Sequence, residues 1–309
     1  IVGNQVDKHG NVFLLTTYNN ILSKQNKNRG IAIKNYTVMV YSNQKNKLKE
    51  FDIQLKDKWV NGLNMSFNNE GDIVVGGFYN DSREGANSGT IYMTIDKDSI
   101  EIKSKSLNPF SAGFTNQLVY GRQQSKKIDL EDFHFDHFIS DHDGSIYMTA
   151  EQHFVRTSSY FDQRTGVTNY TYYYHYNDII VVKLDSKGKV MWTKKLAKKQ
   201  VTSNDNGDYS GYIVTPNKNG ISVFYNDNLK NFENNDSEEI RTMNNPQRSM
   251  TAMVNINKNG EITKKPLFNL EEQETIILPK IGKNLNRQQF ILLTKKSRVF
   301  RFASVVLEH

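Results

Sequence analysis

The chain has no cysteine and only five prolines in 309 residues. Without cysteine there is no disulfide framework, no thiolate metal site and no cysteine nucleophile, although the compartment stays open, because many exported bacterial proteins also lack cysteine. No apolar run approaches the roughly 18–20 residues that span a bilayer. A signal peptide is also missing. A chain that starts on strand-like Ile1-Val2 without Met reads as processed or trimmed, and the terminal Leu307-Glu308-His309 reads as an expression-tag remnant. No segment of adequate length sustains a 3.6-residue hydrophobic period. Also absent are the Gly-x-Ser-x-Gly elbow, the Gly-x-x-x-x-Gly-Lys phosphate loop, His-Glu-x-x-His and a dinucleotide fingerprint, so catalysis would need residues that meet only in space.

What the chain does have is core material: 37% hydrophobic residues, 17 Phe and 16 Tyr against 24% charged residues, a balance that excludes intrinsic disorder. Its length fits two domains or one large all-β domain. Lysine and arginine exceed aspartate and glutamate by 40 − 33 = 7. That excess is spread along the chain, and nucleic acid is not expected as a partner. Lysine pairs such as Lys194-Lys195 and Lys264-Lys265 read as solvated strand edges, where lysine discourages edge-to-edge aggregation.

One device recurs: a short Asn/Asp/Gly turn leading directly into a β-rich run. It stands at Asp7-Lys8-His9-Gly10, Asn68-Asn69-Glu70-Gly71, Asp141-His142-Asp143-Gly144 and Asn217-Lys218-Asn219-Gly220, with starts 61, 73 and 76 residues apart. Glycine supplies the positive φ that a tight hairpin needs. A second series, Asp96-Lys97-Asp98-Ser99, Asp185-Ser186-Lys187-Gly188 and Asn257-Lys258-Asn259-Gly260, splits each unit again. Each unit therefore has about four strands. Tandem four-stranded antiparallel units predict an all-β fold, a β-propeller of about five blades at approximately 1–60, 61–131, 132–208, 209–274 and 275–306, in a single domain over 1–306. The fifth unit has material for three strands. A β-sandwich or a pair of barrels is the alternative.

The connections between second and third strands are long, at 19–35, 80–88, 156–176 and 227–249, and in an up-and-down sheet they emerge on one face, where binding residues are usually carried. The aromatic segment Tyr170-Thr171-Tyr172-Tyr173-Tyr174-His175-Tyr176, with Arg156 and Arg164 nearby, is the preferred binding element, since exposed tyrosines stack on sugars while their hydroxyls hydrogen-bond. Read structurally, the same segment is a long twisted hairpin with alternating tyrosines on its neighbours. Carboxylates at the ends of second strands, Asp81, Glu151 and Asp227, would lie near that face and could act as acid and base. Glu151, Arg156, Tyr172, Tyr174, His175, Asp227 and Asn228 are the candidate ligand-binding residues.

The cluster Asp132, His134, Asp136, His137, Asp141, His142 and Asp143 has the nitrogen and carboxylate donors of a zinc site. In a strand, however, His134 and Asp136 share one face while Phe133, Phe135 and His137 share the other. His134, Asp136 and His142 are the metal candidates. Asp141-His142-Asp143-Gly144 and Asn204-Asp205-Asn206-Gly207-Asp208 look like calcium-loop fragments, but neither has the downstream bidentate Glu, and a hairpin turn demands the same residues. No cofactor is expected, with calcium or zinc as the exceptions considered.

Ala150-Glu151-Gln152, the run Tyr176-Asn177-Asp178-Ile179-Ile180-Val181-Val182-Lys183-Leu184-Asp185, then Gly188, Trp192 and Lys198-Lys199-Gln200, and finally Phe224-Tyr225-Asn226-Asp227-Asn228 with Asn231 resemble a group of exported β-propeller-like proteins of Bacteroidetes. The resemblance covers residues 132–302 well and the first third loosely. It implies export to the periplasm or cell surface and carries over no catalytic residue. The expectation is a monomeric, non-enzymatic binding or scaffolding module of the cell envelope, with a protein or glycan as partner. The alternative is a carbohydrate-active hydrolase or lyase using carboxylates, Tyr or His.

Overall fold

The structure is a computed structural model that describes residues 1–21, 32–43, 47–81, 87–117, 133–232, 240–268, 276–285, 289–296 and 298–307. Asp132 and parts of the connections 19–35, 80–88 and 227–249 lie outside the described residues. The chain is all-β, built from five antiparallel sheets of blade-like size. The first sheet holds β1 (Gly3–Val6), β2 (Val12–Ile21), β3 (Ala32–Ser42) and β4 (Lys47–Ile53) in that order. β5 (Trp59–Phe67), β6 (Ile73–Asn80), β7 (Asn87–Ile95) and β8 (Ile102–Pro109) form the second, followed by a short helix α1 (Ala112–Gln117).

The third sheet runs β9 (Phe133–Ser140), β10 (Ile146–Asp162), β11 (Val167–Leu184) and β12 (Val190–Leu196), with a fifth strand, β13 (Gln200–Ser203), also paired to β11. β14 (Ile213–Asn217), β15 (Gly220–Asn228), β16 (Ser249–Asn257) and β17 (Ile262–Pro266) make the fourth. In the fifth, β18 (Ile276–Ile277) and β19 (Lys283–Asn284) share one edge of β20 (Gln289–Lys296), and β21 (Val299–Val306) takes the other. Pro279 lies between the two short strands and has no N–H to donate to a ladder. They act as one interrupted first strand, so this sheet has three strand positions.

The turns form as their residues dictate. Asp7, Asn68, Asp185 and Asn257 each turn a side-chain Oδ1 back to accept two backbone N–H groups, from residues two and four further on. The glycine that follows in each turn adopts positive φ, between 78° and 83°, a conformation in which a side chain is strained. The same chemistry decides between the two readings of the aromatic segment, in favour of the long twisted hairpin. Residues 156–176 do not form a loop: β10 and β11 run on as strands of 17 and 18 residues and meet in a tight turn. There Asp162 Oδ1 accepts from Arg164 N (2.9 Å), and Gly166 has φ +69°. The alternating Tyr, Thr and Val of this segment favour a pleated ribbon.

Contacts divide the chain into two compact units, residues 1–150 with 180–195, and residues 151–179 with 196–309. In the first, every residue of β6 is buried. Ile73, Val75 and Tyr79 pack with Phe13, Leu15 and Val38 of the first sheet, while Val74 and Phe78 pack with Phe133, Met148 and Ile180. The period of two thus divides one strand between two cores, and burying both faces of a central strand is what radial stacking of blades requires. In the second unit, Ile213 and Phe224 of the fourth sheet pack on Ile277, Phe290 and Leu292 of the fifth.

Candidate functional site

The second unit holds its most concentrated polar chemistry where β10 leaves its buried first half. Glu151, the sixth residue of β10, is 4% exposed, and Lys198, between β12 and β13, is 1% exposed. Their charged ends meet at 2.6 Å. The ammonium also donates to Gln200 Oε1 (2.8 Å) and to the Tyr176 carbonyl (3.1 Å). Gln200 continues the network. Its Oε1 accepts from Gly211 N (2.9 Å), and its Nε2 donates to the Asn226 carbonyl (2.7 Å). Asn226 Nδ2 in turn donates to the Tyr209 and Ile277 carbonyls, each at 2.8 Å. Asp178 accepts from the backbone N of Lys198 at 3.1 Å.

Burial governs the electrostatics here. It pushes the Glu151 carboxyl above its ordinary value, against the attraction of Lys198 and Lys280. It also pushes the Lys198 amine down, against Glu151, Asp178 and Asp227, and it drives the Tyr225 hydroxyl far up. Desolvation of a buried pair has to be offset by its Coulombic attraction and by hydrogen bonds to the two ends, and here the hydrogen bonds fall on the Lys198 side, to Gln200 Oε1 and the Tyr176 carbonyl.

The other two carboxylates singled out in the sequence are also occupied. Asp227, 1% exposed, is paired with Lys264 through Oδ2, while its Oδ1 accepts from Asn228 N (2.8 Å) and Asn231 Nδ2 (2.7 Å). Asn228 is itself part of that turn, donating to the Thr242 carbonyl (2.9 Å) and accepting from Lys230 N (3.0 Å). In the first unit Asp81 pairs with Lys58, and its backbone N–H donates to Ser88 Oγ (3.0 Å). A carboxylate paired with a lysine recurs in three sheets, with Asp81 just past β6, Asp227 near the end of β15 and Glu151 within β10.

Beyond Glu151 the two long strands continue as an arm. His153 stacks on Tyr176 (5.3 Å between centroids, 19° between planes) and Phe154 on His175 (4.6 Å, 14°), while the Arg156 guanidinium lies 5.1 Å from the Phe154 centroid. Burial and the Arg156 charge hold the His175 imidazole below its ordinary value. Tyr176 is capped by Lys280, which reaches its hydroxyl at 2.6 Å and its ring at 4.2 Å. Tyr174 donates to Asn206 Oδ1 (3.2 Å), and Tyr172 N donates to Asn204 Oδ1 (3.0 Å). Further out, the side chains of Val155, Tyr160, Phe161, Val167, Tyr170 and Tyr172 stand between 44% and 70% exposed. Of the candidate residues, Arg156, Tyr172, Tyr174 and His175 thus belong to the arm, whereas Glu151 is a structural partner within β10 and Asp227 and Asn228 are structural partners at the end of β15.

The metal candidates divide between strand and turn. His134 is exposed and Asp136 half-buried on β9, while Phe133 is buried and Phe135 packs edge-on against Phe78 (5.5 Å). His142 lies in the β9–β10 turn, donating its N–H to Asp141 Oδ1 (2.7 Å) and accepting from Asn69 Nδ2 on its carbonyl (2.9 Å). Asp143 and Asp205 use their carboxylates on Ser145 and on Thr202 and Gly207. Among the described residues no three His, Asp or Glu side chains converge as a metal shell.

A cavity of about 560 Å³ in the second unit is walled by Asn217, Ser222, Asn255 and Asn257 on one side and Met253 and Val305 on another. None of the sequence candidates lines it. Sequence reasoning missed the roles of Lys198, Gln200 and Asn226, although all three stand in the motifs that carry the Bacteroidetes resemblance. Buried polar residues flanking β-runs were the available signal. No protein-family model matches the chain, and neither does any curated protein.

Proposed function

We propose that this protein is a non-enzymatic binding or scaffolding module of the bacterial cell envelope, and that the β10–β11 arm is its recognition element for a protein or glycan. The observation that carries the reading is the arm itself, a two-stranded ribbon that exposes Val155, Tyr160, Phe161, Tyr170 and Tyr172. Five large apolar or aromatic side chains exposed on one hairpin offer contact area to a partner. Tyrosine is suited to the task because it brings a large face, a hydroxyl and few rotors. Pairing of Glu151, Asp81 and Asp227 with lysines supports binding over hydrolysis, since glycoside cleavage needs two carboxylates free to exchange protons. Export rests on the resemblance to envelope proteins of Bacteroidetes.

The test combines fractionation of the native cells, probed with an antibody against the chain, with co-sedimentation of the purified protein on peptidoglycan sacculi and on outer-membrane vesicles. Recovery in the envelope or periplasm, with binding lost in the Tyr170→Ser/Tyr172→Ser double variant, is the expected result. A cytoplasmic protein, or binding indifferent to these tyrosines, would contradict it.

A further inference from the structure

β9 has eight residues and passes directly into β10, with Asp141 N donating to Ser145 O at 2.8 Å. It therefore pairs with at most the first eight residues of β10, from Ile146 to His153. From Phe154 to Asp162 that edge of β10 has no strand partner among the described residues, and Val155 to Phe161 are all exposed. Among the described residues this edge therefore offers a row of N–H and C=O groups to another strand. Four outer strands carry two lysines each in their sequence: Lys47 and Lys49 in β4, Lys103 and Lys105 in β8, Lys194 and Lys195 in β12, and Lys264 and Lys265 in β17. Phe154 to Asp162 contains no lysine, proline or glycine.

The segment is complementary to itself. Laid antiparallel on a second copy about Ser158, it places Val155 opposite Phe161, Arg156 opposite Tyr160, Thr157 opposite Ser159, and Ser158 opposite itself. A two-fold axis normal to the ribbon keeps each opposed pair on one face, since both members have the same parity. The axis generates two Val–Phe pairs and two Arg–Tyr cation–π pairs, contacts that stabilise antiparallel neighbours. Moving the axis one residue to Ser159 would set Val155 against Gln163 and Phe161 against Thr157, and both kinds of contact would be lost.

We propose that the chain forms a two-fold homodimer in which the free β10 edges join antiparallel about Ser158, making a four-stranded ribbon from two arms. This rests on the reading of the arm as a recognition element and names a second copy of the chain as the partner of its edge, in place of the monomer expected from the sequence. β11 keeps Tyr170 and Tyr172 on the outer strand of the joined ribbon.

The absence of native cysteine makes the test specific. Light scattering on the wild type at micromolar concentration is expected to give twice the chain mass of 35.7 kDa, and Phe161→Lys, a change at an exposed side chain, is expected to return it to the single-chain mass with its circular dichroism unchanged. Ser158→Cys is expected to form a disulfide-linked dimer under mild oxidation, far faster than Thr168→Cys on the other strand of the arm. A wild type at single-chain mass overturns the proposal. So does a dimer that survives Phe161→Lys while Ser158→Cys stays unlinked, which would locate the contact elsewhere, β21 being another edge strand without lysine. A monomer that still loses envelope binding in Tyr170→Ser/Tyr172→Ser overturns the dimer alone, whereas a Ser158-linked dimer that binds no envelope fraction overturns the recognition reading alone.

Discussion

Lys198 and Glu151 hold each other at 2.6 Å with their side chains 0% and 5% exposed. Removing one partner leaves the other charge buried without compensation, which typically costs about 3–5 kcal/mol. Lys198→Met is therefore expected to destabilise the protein by about that amount and also to leave the Tyr176 carbonyl and Gln200 Oε1 short of a donor. Glu151→Gln keeps an oxygen acceptor near the ammonium, and a smaller loss of about 1–3 kcal/mol is expected. Urea unfolding of both variants checks the order. A Lys198→Met protein as stable as wild type would show that the network does not hold the base of the arm.

Burial pushes the His137 imidazole on β9 down to about 4 from 6.5. The sign follows from proton uptake. Above pH 6.5 neither state carries the extra proton and stability is complete; as pH falls from 6.5 towards 4, the unfolded chain binds a proton that the folded one refuses, and stability is lost. The full shift would be about 3 kcal/mol, and about 2 kcal/mol is expected for a half-buried ring partly screened by solvent. Unfolding free energies at pH 7.5 and pH 4.5, compared between wild type and His137→Gln, isolate this contribution. Equal acid sensitivity in the two proteins would remove His137 from the account.

Gly188, in the β11–β12 turn, has φ +81°, and a Cβ there would stand 2.2 Å from a ring carbon of Tyr92. Tyr92 is itself buried at 1% exposure, so the ring has little room to yield. Gly188→Ala is expected to cost about 2–4 kcal/mol from backbone strain and overpacking together. Gly166→Ala, at φ +69° with nothing near its added methyl, is expected to cost about 1 kcal/mol, from strain alone. Thermal melts of the two variants separate the two contributions.

Tyr170 and Tyr172 are 58% and 44% exposed, and substitutions at such sites usually change stability by no more than about 0.5 kcal/mol. Tyr170→Ser/Tyr172→Ser is expected to melt close to wild type while losing envelope binding. A large drop in melting temperature would show that the tyrosines hold the ribbon together.

Much of the fold was legible because its turns are local chemistry. Asp7, Asn68, Asp185 and Asn257 announce hairpins through residues that bond their own backbone, and the alternating runs beside them have a period that suits strands alone. The same rules contained the answer for 156–176, where Asp162 and Gly166 mark a tight turn between two strand-forming runs. The reading of the stretch as a long twisted hairpin rests on that alternation, and the two strands follow it. The site was less legible. Glu151 and Asp227 stood out by recurrence, but the lysines that neutralise them are distant in sequence, Lys198 by 47 residues and Lys264 by 37, and only tertiary packing brings them together.

The central claim is that the arm binds while Glu151 serves structure. It is tested most directly by incubating wild type, Glu151→Gln and the Tyr170→Ser/Tyr172→Ser variant with peptidoglycan sacculi and outer-membrane vesicles, and measuring bound protein and released reducing sugar in the same tubes. The account predicts binding by wild type and by Glu151→Gln, loss of binding in the tyrosine variant, and no sugar release from any of them. Sugar release by wild type that Glu151→Gln abolishes while remaining folded would contradict it.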